Sequence, residues 1–295
     1  MNTPIDLDTE LKNENKESDM PFQYFCFDYS NGFSGFQFHW HEEIEIHCIV
    51  KGKGTFFIDD TEYEVSEGDI VYIGPKLIHS GKSENNDLIA ICYMIDSTYL
   101  LSKNNEYNTD RFFTQLVNTR ISNPVISESE AGYQNLKKCL KEIDLCTTEK
   151  GIVYQLEIKK QLYDLFIQLY KNRYLIATQN NDNRNTVKSI IKKSIKYIQA
   201  NCSNKMSIDE IAAHVGLSPS YFMKVFKLST KMTCVEYIKS FRLNLAITML
   251  RETDESVLQI ANNCGYGNLS LFNREFKKHF NLTPSQYRKR YSILN

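Results

Sequence analysis

The chain has 295 residues, 42% of them hydrophobic, and a formal net charge of −1, a length that suits two domains with residues left for a linker. No apolar run approaches the ~18 residues of a membrane helix, and the eight cysteines are scattered, with no C-x-x-C pair and no short zinc-type spacing, so they read as reduced thiols of a soluble, cytoplasmic protein. Split near residue 185 the charge separates: residues 1–185 carry 18 Lys and Arg against 29 Asp and Glu, a net of −11, and residues 186–295 carry 17 against 7, a net of +10. A basic block of that size asks for a polyanion such as nucleic acid.

Residues 1–20 are rich in Asn, Asp, Glu and Lys and lack an apolar segment, which predicts a disordered start that is neither signal peptide nor anchor. From Phe22 to Ile95, short β-branched and aromatic runs are punctuated by turn signals, among them Gly52 and Gly54, Asp59 and Asp60, Gly68 and Asp69, and Gly74 and Pro75. An antiparallel sandwich or small barrel is expected. Within it Glu43 to Val50 alternates strictly, with Ile44, Ile46, Cys48 and Val50 on one face and Glu43, Glu45 and His47 on the other. After Ile95 the pattern turns helical, most clearly from Gln155 to Tyr170, where Leu156, Leu162, Tyr163, Phe166, Leu169 and Tyr170 form a stripe that either packs on the barrel or seams a dimer. Residues 21–176 are thus expected as a first domain, 177–186 as a polar linker, and 187–295 as a helical second domain.

The helical part contains an internal repeat. Ile211, Ala212 and Gly216 recur at an offset of 49 as Ile260, Ala261 and Gly265; beyond the glycine the offset is 50, with Ser220, Phe222, Phe226, Lys227, Thr233 and Tyr237 matched by Ser270, Phe272, Phe276, Lys277, Thr283 and Tyr287. One extra residue therefore sits in the second copy's turn. Each copy reads as a helix-turn-helix: a short helix ends at a glycine able to take the left-handed conformation, and a second helix follows. In the first copy Ser218 is placed as an N-cap with Pro219 at the first helical position. Phe222, Val225 and Phe226 form the inner face there, and Phe272 and Phe276 do so in the second copy. The outward residues are short, polar or cationic, which suits base edges and phosphates in a major groove.

On these residues the segment 187–290 resembles the DNA-binding domain of the AraC/XylS family of bacterial regulators, in which a long central helix joins two such units. Val235 to Leu250, with Arg242, Ala246 and Leu250, matches that helix, and Phe276-Lys277-Lys278 through Leu282-Thr283-Pro284 to Tyr287-Arg288 matches the C-terminal signature. The family's glycine after each recognition helix is replaced by Lys231 and Asn281. The resemblance implies that Ser220, Met223 and Lys224 face bases in one groove segment and Ser270, Leu271 and Arg274 in the next, while Lys227, Lys277 and Lys278 grip phosphates. It also implies promoter DNA, RNA polymerase, a small-molecule effector and a second copy of the chain as partners.

Four of the six histidines lie in the β-rich region. His39-x-His41, Glu45 and Gly52, followed by Gly68-Asp69, Pro75 and His79, resemble the two motifs of the cupin barrel, although the usual glycine between Pro75 and His79 is missing. In metal-binding cupins the counterparts of His39, His41, Glu45 and His79 hold a divalent metal. Three readings follow: a metal site, a metal-free ligand pocket that Trp40 could help line, or a merely structural role in which the same strand parity makes a solvated face while Ile44, Ile46 and Cys48 pack the core on the other side. The metal-free pocket is preferred, with no cofactor.

The reading is therefore an α+β two-domain protein, a cupin-like β-barrel with following helices joined to an all-α tandem helix-turn-helix domain. Its function would be effector-responsive, sequence-specific transcription regulation, more an activator than a repressor, with a sugar or related metabolite as effector. No nucleophile elbow, phosphate-binding glycine loop or zinc-protease motif points to an enzyme. A metal-dependent cupin enzyme fused to a DNA-binding module, and a regulator without effector, are the alternatives.

Overall fold

A computed structural model describes residues 21–29, 35–100, 120–176 and 182–291; the expected disordered start and residues 177–181 of the expected linker lie outside them. Eight strands come first: β1 (Phe22–Asp28), β2 (Gly35–His39), β3 (Ile44–Lys51), β4 (Lys53–Ile58), β5 (Thr61–Ser66), β6 (Ile70–Ile73), β7 (His79–Ser83) and β8 (Ile89–Ile95). They form two antiparallel sheets, ordered β1-β8-β3-β6 and β2-β7-β4-β5. A short strand β10 (Val125–Ile126) extends the first sheet beside β6, and β9 (Arg120–Ile121) pairs with β11 (Leu175–Ile176) apart from it. These three strands fall where the sequence pattern suggested only helix.

The alternation in β3 sorts its side chains between two cores. Ile44 and Ile46 face outward from the barrel into a core shared with α1 (Tyr133–Glu149) and α2 (Tyr154–Lys171). Ile49, Phe56, Val65, Val71 and Ile73 fill the space between the sheets. The helical stripe packs on the barrel, through Ile158, Leu162, Leu165, Phe166 and Leu169; Leu156 and Tyr170, expected on that stripe, are instead exposed. At the α-helical period the buried Ile158, Leu162, Leu165, Phe166 and Leu169 define an inward arc that Leu156 and Tyr170 fall outside.

The remaining helices are α3 (Asp182–Ala200), α4 (Ile208–His214), α5 (Pro219–Thr230), α6 (Cys234–Glu252), α7 (Val257–Asn263), α8 (Leu269–Phe280) and α9 (Pro284–Tyr291). Helix α3 begins inside the segment expected as a linker. The repeat extends to the helix starts: Ser207 with Glu210 and Ser256 with Gln259 form capping boxes on α4 and α7, and Thr233 with Glu236 does so on α6. Thr283 and Gln286 make the same reciprocal bonds ahead of α9. Each box satisfies two backbone N–H groups that a helix start leaves orphaned. No helix among the described residues is long and apolar enough to cross a membrane.

Candidate functional site: two exposed recognition helices and a histidine-lined barrel

The two turns have the same backbone. Gly216 and Gly265 sit at φ 72° and 75°, and Lys231 and Asn281, at the ends of α5 and α8, both sit at φ 57°. Lysine therefore takes the left-handed conformation in the first copy, with its Nζ 5.9 Å from the Phe57 ring centre across the interdomain joint. Helix α5 starts on the Ser218 side chain, which accepts from the Tyr221 backbone N–H at 3.4 Å, and α8 on Asn268, which accepts from Leu271 at 3.0 Å.

With Phe222, Val225 and Phe226 buried, Ser220, Met223, Lys224 and Lys227 are exposed; with Phe272, Phe276 and Phe280 buried, so are Ser270, Leu271, Arg274, Lys277 and Lys278. All nine residues expected to meet DNA thus stand on the open faces of α5 and α8. The sequence reading left out Tyr221, which is 52% exposed on the same face of α5. Its place one residue after Ser220 was the available signal. Two arginines brace the loops that feed the units. Arg242 donates to the Cys202 carbonyl at 2.9 Å and the Asn204 carbonyl at 2.7 Å, ahead of α4. Arg288 donates to the Leu250 and Glu255 carbonyls, ahead of α7.

In the barrel, β2 and β7 pair so that His39 lies opposite His79, and His41 and Glu45 flank the start of β3. Ligand atoms of His39, His41, Glu45 and His79 all lie within 4.8 Å of one another. Glu45 Oε2 is 3.0 Å from His41 Nε2 and 2.8 Å from His79 Nε2. The other carboxylate oxygen is 2.9 Å from His47 Nε2 and accepts from the Cys92 thiol at 3.0 Å. Glu45 is 4% exposed and His47 and His79 are fully buried, so this face of β3 is not a solvated one. Burial alone would raise the Glu45 pKa, but His47 and the contacts with His41 and His79 outweigh it and hold it well below its ordinary value. Burial, with His79 beside it, lowers the His39 pKa to about 3. Burial also opposes charge on His41, yet Glu45 prevails and raises that pKa. Trp40 is not part of this cluster. Its half-buried indole lies 4.7 Å from Lys192 Nζ and 5.2 Å from Lys196 Nζ, on the outside of the barrel against α3.

The barrel is joined to the first helix-turn-helix by a continuous apolar core in which Phe38, Phe57 and Ile78 meet Ile191, Ile195, Phe226 and Tyr237. Polar ties cross the same joint: Tyr237 Oη donates to the Phe38 carbonyl at 2.8 Å, and Lys188 pairs with Asp59 at 2.6 Å. Beside it lies a cavity of about 430 Å³, walled by Tyr29, Gln37 and His39 from the barrel and by Phe241, Asn244 and Thr248 from α6. That volume is in the range of small-molecule sites.

Residues 211–290 match the family model of a helix-turn-helix domain, and residues 29–166 match that of an AraC-like ligand binding domain. The chain is 37% identical to the regulatory protein SoxS of Salmonella typhimurium over 34% of its own length and 94% of that protein. Over most of its length it is 27% identical to the transcriptional activator RhaR of Mannheimia succiniciproducens, covering 87% of this chain and 88% of the relative. It is also 23% identical to the melibiose operon regulatory protein of Escherichia coli, covering 85% and 83%.

Proposed function

This chain belongs to the AraC family of DNA-binding transcription regulators, and we propose that it is an activator whose barrel takes a sugar or sugar-like metabolite. The cavity between the barrel and α6 carries this reading. One wall is β1 and β2 and the other is the helix that joins the two recognition units, so a molecule held there touches both halves of the chain. Such a molecule shifts the arrangement of the two units only through unequal affinity for the alternatives. The relatives named for the melibiose operon and as the activator RhaR support the effector class and the direction of control. Ser220, Met223, Lys224, Ser270, Leu271 and Arg274 would read bases and Lys227, Lys277 and Lys278 would hold phosphates. The active form would be a dimer that engages RNA polymerase, and no catalytic step is assigned to it.

The test is thermal unfolding of the full chain against a panel of mono- and disaccharides, since a ligand bound only by the native state raises the midpoint. A sugar-specific rise that Asn244→Ala abolishes is expected. No rise with any sugar, while the chain still binds DNA, would overturn the effector assignment and leave an effector-independent regulator.

A further inference from the structure

The Phe36 ring stands between the cavity beside α6 and the interior of the barrel. It is half-buried, and it lines both that cavity and a cleft of about 380 Å³ shared with Thr55, Ser80 and Lys231. Its other side meets fully buried rings: it lies parallel to His47 with centres 5.8 Å apart, and edge-on to Phe56 and His79 at 5.5 and 5.8 Å. The cross-strand partner of Phe36 is Gly81, where a Cβ would overlap the ring, so the ring's seat exists because residue 81 has no side chain. The β2–β7 register also slips between Phe36 and His39, an irregularity of the kind that re-aims a side chain beside a site. Ring packing alone thus holds Phe36 inward, and its outer flank borders the two cavities.

On the barrel side, two buried polar atoms have no hydrogen-bond partner among the described residues, Tyr29 Oη and His47 Nδ1. Tyr29 is 3% exposed and shares a core with Ile49, Phe56 and Leu88, against which Phe36 packs. Both rings border Phe27, with centres 6.1 Å from it. Buried polar atoms are almost always paired, because desolvation without a bond is costly, so this pair asks for a hydrogen-bonding occupant. Burial, with Cys92 and Glu45 close by, raises the Tyr29 pKa well above its ordinary value, so the hydroxyl keeps its proton. His47 turns Nε2 to Glu45 at 2.9 Å, which leaves Nδ1 as an acceptor in the neutral ring. A ligand hydroxyl, which both donates and accepts, complements the two atoms. A phosphate or carboxylate does not: the Glu45 carboxylate is close, and the cavity's described lining holds Asp28 and no Lys or Arg.

We propose that the effector cavity continues past Phe36 into the barrel, with the Phe36 ring as its gate and Tyr29 and His47 as the groups that receive a neutral, hydroxyl-bearing end of the ligand. The proposal rests on the reading of that cavity as the effector site. It narrows the ligand to an unphosphorylated sugar or polyol, and it gives the orphaned Tyr29 hydroxyl a role in binding and none in folding.

The test uses the full chain and two readouts. Tyr29→Phe should unfold at or above the parent's midpoint, because no hydrogen bond is lost, yet its Kd for the mono- or disaccharide that raises the parent midpoint most should weaken at least ~10-fold. The phosphate ester of that sugar should raise neither midpoint. The gate is read without any ligand, as deuterium exchange at the His47 ring C2–H followed by mass spectrometry. Phe36→Ala, which removes the ring, and Gly81→Ala, whose Cβ displaces it, should both speed that exchange at least ~10-fold. Phe166→Leu, in the core under the helices, weakens packing away from the gate and should leave the exchange at the parent rate. Exchange unchanged in both gate variants, or a Tyr29→Phe chain that binds the sugar as the parent does, would overturn the proposal. If no sugar raises the parent midpoint while both gate variants speed the exchange, the effector reading fails and the opening behind Phe36 stands.

Discussion

The Tyr237 hydroxyl donates at 2.8 Å to the Phe38 carbonyl, so a residue of the helix joining the two recognition units completes the hydrogen bonding of a barrel strand. Gln199, on α3, donates weakly to the same hydroxyl at 3.5 Å. Tyr237 is a repeated position, equivalent to Tyr287, and both rings are buried among phenylalanines of their own units. In the first copy the ring is thus core of the helix-turn-helix while its hydroxyl belongs to the joint.

Tyr237→Phe keeps the ring and leaves the Phe38 carbonyl without its partner. The expected cost is about 1–3 kcal/mol in urea unfolding of the full chain, with effector-induced changes in DNA affinity diminished. A variant as stable as the parent and with its full effector response would show that the joint does not depend on this bond.

The two turn glycines should differ in their tolerance of alanine. At Gly216 a Cβ would meet nothing within 4 Å, and the cost is the left-handed backbone alone, about 1 kcal/mol. At Gly265 the same atom would overlap the Cys202 carbonyl oxygen and come within 2.8 Å of Arg242 Nη2. Gly265→Ala should therefore cost roughly 2–4 kcal/mol and loosen the arginine brace. Equal losses for the two variants in urea unfolding would contradict this account of the turns.

The repeat made these turns legible in the sequence, because Gly216 and Gly265, and the phenylalanines that follow them, keep a fixed offset whatever surrounds them. Strand parity on β3 likewise separates Glu45 and His47 from Ile44 and Ile46 in the sequence itself. What stayed out of reach depends on tertiary partners. Trp40 carries no local mark that it stacks beneath lysines of α3, and Leu156 and Tyr170 fit a helical period as well as Leu162 does. The short strands β9–β11 are two residues each, too brief for any period. The capping boxes were readable from Ser207 with Glu210 and Ser256 with Gln259, a pattern that the turn glycines and recognition helices overshadowed.

Asp144, on α1, accepts from the Tyr93 hydroxyl at 2.6 Å, and burial pushes its pKa up to about 6 from an ordinary 3.8, with the Tyr93 bond opposing. A carboxyl whose folded pKa is raised favours the protonated folded state. Its contribution is thus fully present below pH ~4 and is lost as pH rises through about 6. The parent chain should lose stability across that window from this group, and Asp144→Asn, which keeps an acceptor for Tyr93, should show a flatter profile in urea unfolding between pH 4 and 6. An unchanged pH profile would place the Asp144 carboxyl in water and not against the sheet.

The central claim is that α5 and α8 both read DNA from one chain, and in vitro selection of random duplexes by the full chain tests it most directly, with Arg274→Ala and Lys277→Ala selected in parallel. The account predicts two enriched elements about one helical turn apart, ~10 base pairs. Arg274→Ala should lose preference at one position of one element, at a cost of ~1–3 kcal/mol, and Lys277→Ala should weaken all sequences alike. A single enriched element, or a selected sequence indifferent to Arg274→Ala, would contradict it.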